Sequence, residues 1–214
     1  MPNAERRKRL RIMRKPAADE YPIHDLIRER WSPRAFDDRP VERSVILSLF
    51  EAARWAPSSG NEQPWRFMVA ERHVDQAAFD RLIGALNDSN QIWARFAPVV
   101  GFSVASMNWQ RTGKPNRHAW HDVGLAMSIL LVEATSRGLF VHQMAGYDAQ
   151  KAREACGIPD GFEPVAAFVI GYPGPIERLD ERNRTREVEP RTRRPVSESA
   201  FQGRWGASLG PESR

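Results

Sequence analysis

The sequence predicts an α+β domain built on a small sheet. Helical and extended segments are interspersed along the chain, and the extended ones are too few for a regular βαβ series. No internal repeat or low-complexity linker splits the 214 residues, so one sizeable core is expected.

The elements follow in order. Ile23, Leu26, Ile27 and Trp31 keep helical spacing, and Pro33 and Pro40 then mark irregular backbone. Val45, Ile46, Leu49, Phe50 and Ala53 form the apolar stripe of a second helix, stopped by Pro57. "APSSGNEQPW" is a loop by composition, and "WRFMVA" a strand. Phe79, Leu82, Ile83 and Leu86 mark a helix, and residues 98–104 a buried, β-branched strand. Residues 106–117 read as a polar, mobile connection. The stretch from Trp120 to Arg137 reads as the longest helix, apolar around most of its circumference, hence central or packed on a partner subunit. Gly138 caps it. "LFVHQM" is a short strand, Asp148 an N-cap for a helix over 149–156, and residues 164–172 the last strand. The polar, proline-bearing segment beyond Pro173 is expected to lie on a surface, this subunit's or another's.

Charge and cysteine usage narrow the function classes. The net charge of +5 suggests a nucleic-acid partner, but seven of the basic residues fall within positions 1–15. The rest holds 25 basic and 26 acidic residues, so the body is close to neutral and argues against nucleic acid as its substrate. We read residues 1–20 as a basic, disordered leader, 21–196 as the functional domain and 197–214 as a tail. Met13 offers an alternative start. No apolar run approaches the ~20 residues of a membrane span. The single cysteine, Cys156, forms no internal disulfide and fits a reducing cytoplasm. No Cys/His cluster has zinc spacing. His118 and His121, three apart, lack a completing carboxylate, and no metal is expected with them or His142. Neither a nucleophile elbow nor a G-x-G-x-x-G dinucleotide motif is present.

Three constellations carry chemistry. In "RERWSPRAF", Arg30, Ser32 and Arg34 alternate by two, which puts them on one side of an extended backbone. Two guanidinium forks and a hydroxyl suit a phosphate; the same residues also suit a solvated basic turn at a helix end. In "APSSGNEQPW", Ser58, Ser59, Asn61 and Gln63 could hydrogen-bond a planar heterocycle or satisfy their own loop. In "RTRRP", Arg191 and Arg193 also share a side. The first and last Arg pairs could close on one phosphate, although a solvated run is the simpler reading of the last.

In order and spacing, these constellations resemble the FMN-dependent nitroreductase family over roughly residues 22–196. The agreeing stretches include "ARWAPSSGNEQPWRFMVA", "NQIWARFAPVV", "DVGLAMSILLVEATSRGL" and "PRTRRP". The resemblance implies a three-layer α/β/α sandwich with a small, mainly antiparallel sheet, in an intertwined homodimer with FMN at the interface. It implies that Arg30, Ser32, Arg191 and Arg193 serve the FMN phosphate and ribityl chain, that Trp31 is among the cofactor-binding residues, and that Arg34 sits toward the flavin's pyrimidine edge. Pro57, Ser58, Ser59 and Asn61 would come from the other subunit, and Asn90 would reach the ring. Gln143, Met144, Ala145 and Gly146 would pass along the ring, a backbone N–H facing N5. Relatives often carry an acid where Ala145 stands; alanine keeps the backbone donor and leaves the acceptor open. The implied reaction takes hydride from NADH or NADPH and passes electrons to a nitroaromatic, quinone or similar small acceptor by a ping-pong sequence. Dehalogenase- or dehydrogenase-like chemistry on the same FMN motifs, or a non-enzymatic flavin-binding protein, are the alternatives. No side chain is required as a dedicated acid or base. The region from Asn108 to Trp120, with Trp109 and His118, is a candidate substrate wall or a solvent loop with packed tryptophans.

Overall fold

The computed structural model describes residues 13–209. Its centre is a four-stranded, fully antiparallel sheet in the order β1-β2-β4-β3, from β1 (Trp65–Glu71), β2 (Val99–Ser106), β3 (Phe140–Met144) and β4 (Phe162–Gly171). The small, antiparallel sheet is as the sequence predicts. The two central strands are apolar on both faces, because helices cover both.

Alternation along the strands divides the core in two. Val100, Phe102, Ala167 and Val169 point to one layer, where α3 (Gln76–Gly84), α4 (Asp88–Ala94) and α6 (Ala149–Cys156) supply Phe79, Leu82, Trp93 and Ala152. Val99, Val141, Phe168 and Ile170 point to the other, where α2 (Arg43–Arg54) and α5 (Ala119–Ser136) supply Ile46, Leu49, Val123, Met127 and Leu130. The result is the expected three-layer sandwich. A short helix, α1 (Asp25–Glu29), precedes α2, and α7 (Glu181–Val188) follows β4.

Several boundaries follow from local chemistry. Asp148 accepts from the N–H groups of Gln150 and Lys151 and starts α6. Gly138, at φ +70°, ends α5 while Leu139 N–H returns to Ala134 O.

Five expectations need correction. The helix read through Trp31 ends at Glu29, because Pro33 forces the segment before it to extend. Residues 106–117, expected to be mobile, fold into a tight loop: Asn108 bridges Pro115, and Trp109 N–H donates to Lys114 O. α5 buries one face only. Ala119, Val123, Ala126, Met127, Leu130 and Ala134 are covered, whereas Leu125, Ile129, Leu131 and Val132 are half-buried. The segment after Pro173 joins the core in part, through Leu179, Asn183 and Glu187. The leader expected over 1–20 is described only from Met13, and residues 13–17 pack on the body rather than standing free: Ala17 N–H donates to Arg28 O at 2.8 Å. The remainder of the leader, and the end of the tail, lie outside the described residues.

Candidate functional site

After α1 the chain extends, and its side chains alternate. Trp31, Pro33 and Ala35 are buried, while Arg30, Ser32 and Arg34 are half-buried on the opposite side. Arg30 Nη1 donates to Ser32 Oγ at 3.4 Å. Burial holds the Arg30 guanidinium below its ordinary pKa, and the nearby charges of Arg191 and Arg193 add to this. Arg191 is lowered the same way, by burial and then by Arg193. The two ends of the chain therefore crowd three guanidinium groups together. Among the described residues, none of Arg30, Arg34, Arg191 and Arg193 forms an ion pair with a carboxylate. Such a concentration of unpaired cations suits an anion.

Trp31, expected among the cofactor-binding residues, turns its indole into the core at 4% exposure, edge-on to Phe140 at 6.1 Å. The alternation that faces Arg30 and Ser32 outward turns it inward.

Glu187 of α7 fixes the next turn of this segment. It is 1% exposed, and its carboxylate accepts the N–H groups of Arg34 and Ala35, each at 3.0 Å. Burial raises its pKa, opposed by those two hydrogen bonds and by the charges of Arg34 and Lys15. The Arg34 guanidinium stands 6.0 Å over Trp93. His142 of β3 lies beneath: its Nδ1 meets Pro33 O at 2.8 Å, and its ring is 4.6 Å from Trp93. A carbonyl partner requires the proton on Nδ1. Burial depresses the His142 pKa to about 4, and the charges of Arg34 and Arg30 contribute, so the imidazole is neutral at neutral pH.

The predicted ring-side residues gather at the far end of β3. Met144 is buried, and Gln143 and Ala145 are exposed. Gly146 O accepts from Asn90 Nδ2 at 2.9 Å and from Asn87 N–H at 3.1 Å. The approach is close enough that a Cβ on Gly146 would lie 2.6 Å from Asn90 Nδ2. Among the hydrogen bonds of the described residues, none uses the N–H of Ala145 or Gly146. β3 thus connects the arginine cluster, beside Phe140 and His142, to the Asn90–Gly146 corner; six residues of extended chain span about 20 Å.

Pro57, Ser58, Ser59 and Asn61 are elsewhere. They lead into β1, and the sheet order separates β1 from β3 by three strand spacings, about 14 Å. Ser59 N–H donates to the buried Asp122 carboxylate at 3.0 Å, and Gln63 N–H to Ser58 Oγ at 3.0 Å. Gly60, Asn61 and Gln63 all have positive φ, near +55°, so the loop holds a conformation that side-chain-bearing residues seldom adopt. Trp109 packs against Gly60, and Glu62 accepts from Gln110 N–H at 2.5 Å, so the 106–117 loop supports this one. A surface cavity of about 720 Å³ lies between α2 and α5, lined by Leu47, Glu51, Trp55 and Arg137 among others, and contains no predicted site residue.

Sequence reasoning missed Glu187, Lys15 and the structural part played by His142. Glu187 stood in a charge-rich stretch whose only helical signal is Asp180, which caps α7 by accepting from Asn183 N–H. Lys15 was assigned to the leader, and His142 was weighed only as a metal ligand.

The model of the Nitroreductase family matches residues 27–172. A 15.4 kDa protein from the ask 5′ region of Mycolicibacterium smegmatis is 42% identical over 150 residues, covering 67% of this chain and 99% of its own. A Stenotrophomonas maltophilia protein, named as an NADH dehydrogenase/NAD(P)H nitroreductase, is 27% identical over 177 residues, covering 74% of this chain and 89% of its own. A crystal structure described as an oxidoreductase containing FMN superimposes with a TM-score of 0.83 at 35% identity, over 89% of this chain and 96% of that one. With the sandwich and the arginine cluster already in place, these matches make the chain a member of the Nitroreductase family.

Proposed function

We propose that this chain is an FMN-dependent oxidoreductase that draws hydride from NADH or NADPH and acts on a small conjugated acceptor as a homodimer. The observation that carries the reading is the cluster of Arg30, Arg191 and Arg193, without a carboxylate partner among the described residues, at one end of β3. This donor set fits the phosphate of FMN: guanidinium forks match phosphate oxygens, and the partial burial of Arg30 and Arg191 strengthens the match, while Arg193 is exposed.

Arg30, Ser32, Arg191 and Arg193 would hold the phosphate and ribityl chain. Arg34 would place positive charge at the pyrimidine edge, stabilising negative charge that develops there. Asn90 braces Gly146. The N–H groups of Ala145 and Gly146 would face the ring. Exposed Ala145 brings no carboxylate, so this wall leaves the acceptor's charge unspecified. When bound, FMN would supply a two-electron carrier, able to take hydride from a nicotinamide and to give electrons to a nitroaromatic, quinone or similar acceptor.

Two features favour a second copy of the chain. The 57–61 loop stands across the sheet from the arginine cluster, so a partner's loop is the better source of contacts to the ring. α5 leaves Leu125, Ile129, Leu131 and Val132 half-covered. Light scattering should give twice the 24.4 kDa chain mass; a monomer that binds FMN would remove the shared-site reading. For the reaction, in the absence of oxygen, FMN-loaded protein should oxidise NADH or NADPH beyond one equivalent per flavin only while a nitroarene or quinone is present. A protein that takes up no FMN contradicts the proposal.

A further inference from the structure

Residues 14–17 are stitched onto the arginine cluster. Arg14 pairs with Glu29 at 2.6 Å, and Ala17 N–H donates to Arg28 O at 2.8 Å. Between them, Lys15 is half-buried. Its Nζ donates to Glu187 O at 2.9 Å and stands 5.0 Å over the Trp31 ring. Its carbonyl accepts from Arg191 Nη1 at 2.7 Å, and the same nitrogen donates to Arg28 O at 2.9 Å.

We propose that Lys15 belongs to the anion site: its ammonium is a further cation for the phosphate, and its carbonyl is a positioning group that orients Arg191. This rests on the reading of the cluster as the FMN phosphate site. Among the described residues, one of the three Nζ donors is used, by Glu187 O, which leaves two for an anion. The groups that bear on the ammonium electrostatically are Glu187, Arg34, Arg191 and Glu189, so Lys15 lies within the field of the same arginines. Burial lowers its pKa, the direction expected for an ammonium removed from water before an anion arrives. The Trp31 face under Nζ favours a cation there. Trp31, turned inward, thus supports a cation supplied from another part of the chain.

The test uses the full chain, freed of flavin, titrated with FMN and separately with riboflavin, which has no phosphate, by quenching of flavin fluorescence. Arg30→Ala sets the scale by weakening FMN. Lys15→Met should weaken FMN about tenfold and leave riboflavin unchanged, as for loss of one charge-assisted contact to phosphate. Lys15→Arg should restore most of the difference. Equal losses for both flavins would show a merely structural role and overturn the proposal, as would Lys15→Met binding FMN as tightly as the unaltered chain. If the unaltered chain binds FMN no more tightly than riboflavin, the phosphate-site reading itself fails, and Arg30→Ala is then without effect.

Discussion

His142 shows how a single side chain ties the cation segment to the sheet. Its Nδ1–H holds Pro33 O between Arg30 and Arg34, and the price of that position is a ring that resists protonation. The folded pKa of about 4 lies below the ordinary 6.5. A depressed pKa means that the unfolded chain binds the proton more readily. The contribution is therefore fully present above pH 6.5 and is lost as the pH falls through about 4. Its size is about 3 kcal/mol, from the shift between the two values. Denaturant unfolding should show the wild-type chain losing stability between about pH 6.5 and 4. His142→Gln retains an N–H donor for Pro33 O and should flatten that part of the curve; superimposable pH profiles would contradict the assignment. None of this was legible from sequence. A histidine in "LFVHQM" reads as one residue of a strand, and its carbonyl partner lies 109 positions away.

At the level of elements, α7 is the brace of the site. Its Glu187 satisfies two backbone N–H groups that the extended 30–35 segment cannot pair with a strand. Glu187→Leu leaves the buried N–H of Ala35 and the half-buried N–H of Arg34 without an acceptor and should cost about 3 kcal/mol, with FMN affinity falling because Arg34 loses its anchor. Glu187→Gln keeps one acceptor oxygen and should lose about half as much. Equal stability for all three chains in denaturant titrations would remove the bracing role. The elements that the sequence announced are those whose stability is local or periodic: α2 and α3 by apolar stripes, α6 by the Asp148 cap, and β2 and β4 by β-branched runs. α4 and α7 escaped notice because each is short and polar, with a side-chain cap at Asn87 or Asp180 as the main signal. The alternation of Arg30, Ser32 and Arg34 was legible because two-residue spacing is a backbone property. The inward turn of Trp31 follows from the same spacing, although the resemblance had placed it with the ligand.

Over the whole molecule, the candidate site lies along one sheet edge. β3 runs from the arginine cluster to the Asn90–Gly146 corner, and the 57–61 loop stands at the opposite edge. No helix among the described residues is long and apolar enough to cross a membrane. A site with cations at one end and unused backbone N–H groups at the other suits a ligand with a phosphate tail and an electron-accepting ring. The charge balance of the body made nucleic acid a poor candidate, but sequence alone did not show that residues 13–17 close over the cation cluster. That contact depends on carbonyl groups, which carry no residue-specific signal. The most direct measurement is an anaerobic titration of the purified chain, loaded with FMN, with NADH and then NADPH. At least one nicotinamide should bleach the bound flavin's visible absorbance at one equivalent per flavin, and a nitroarene or quinone should restore it. A chain that remains colourless after incubation with FMN, or whose bound flavin neither nicotinamide bleaches, would contradict the assignment.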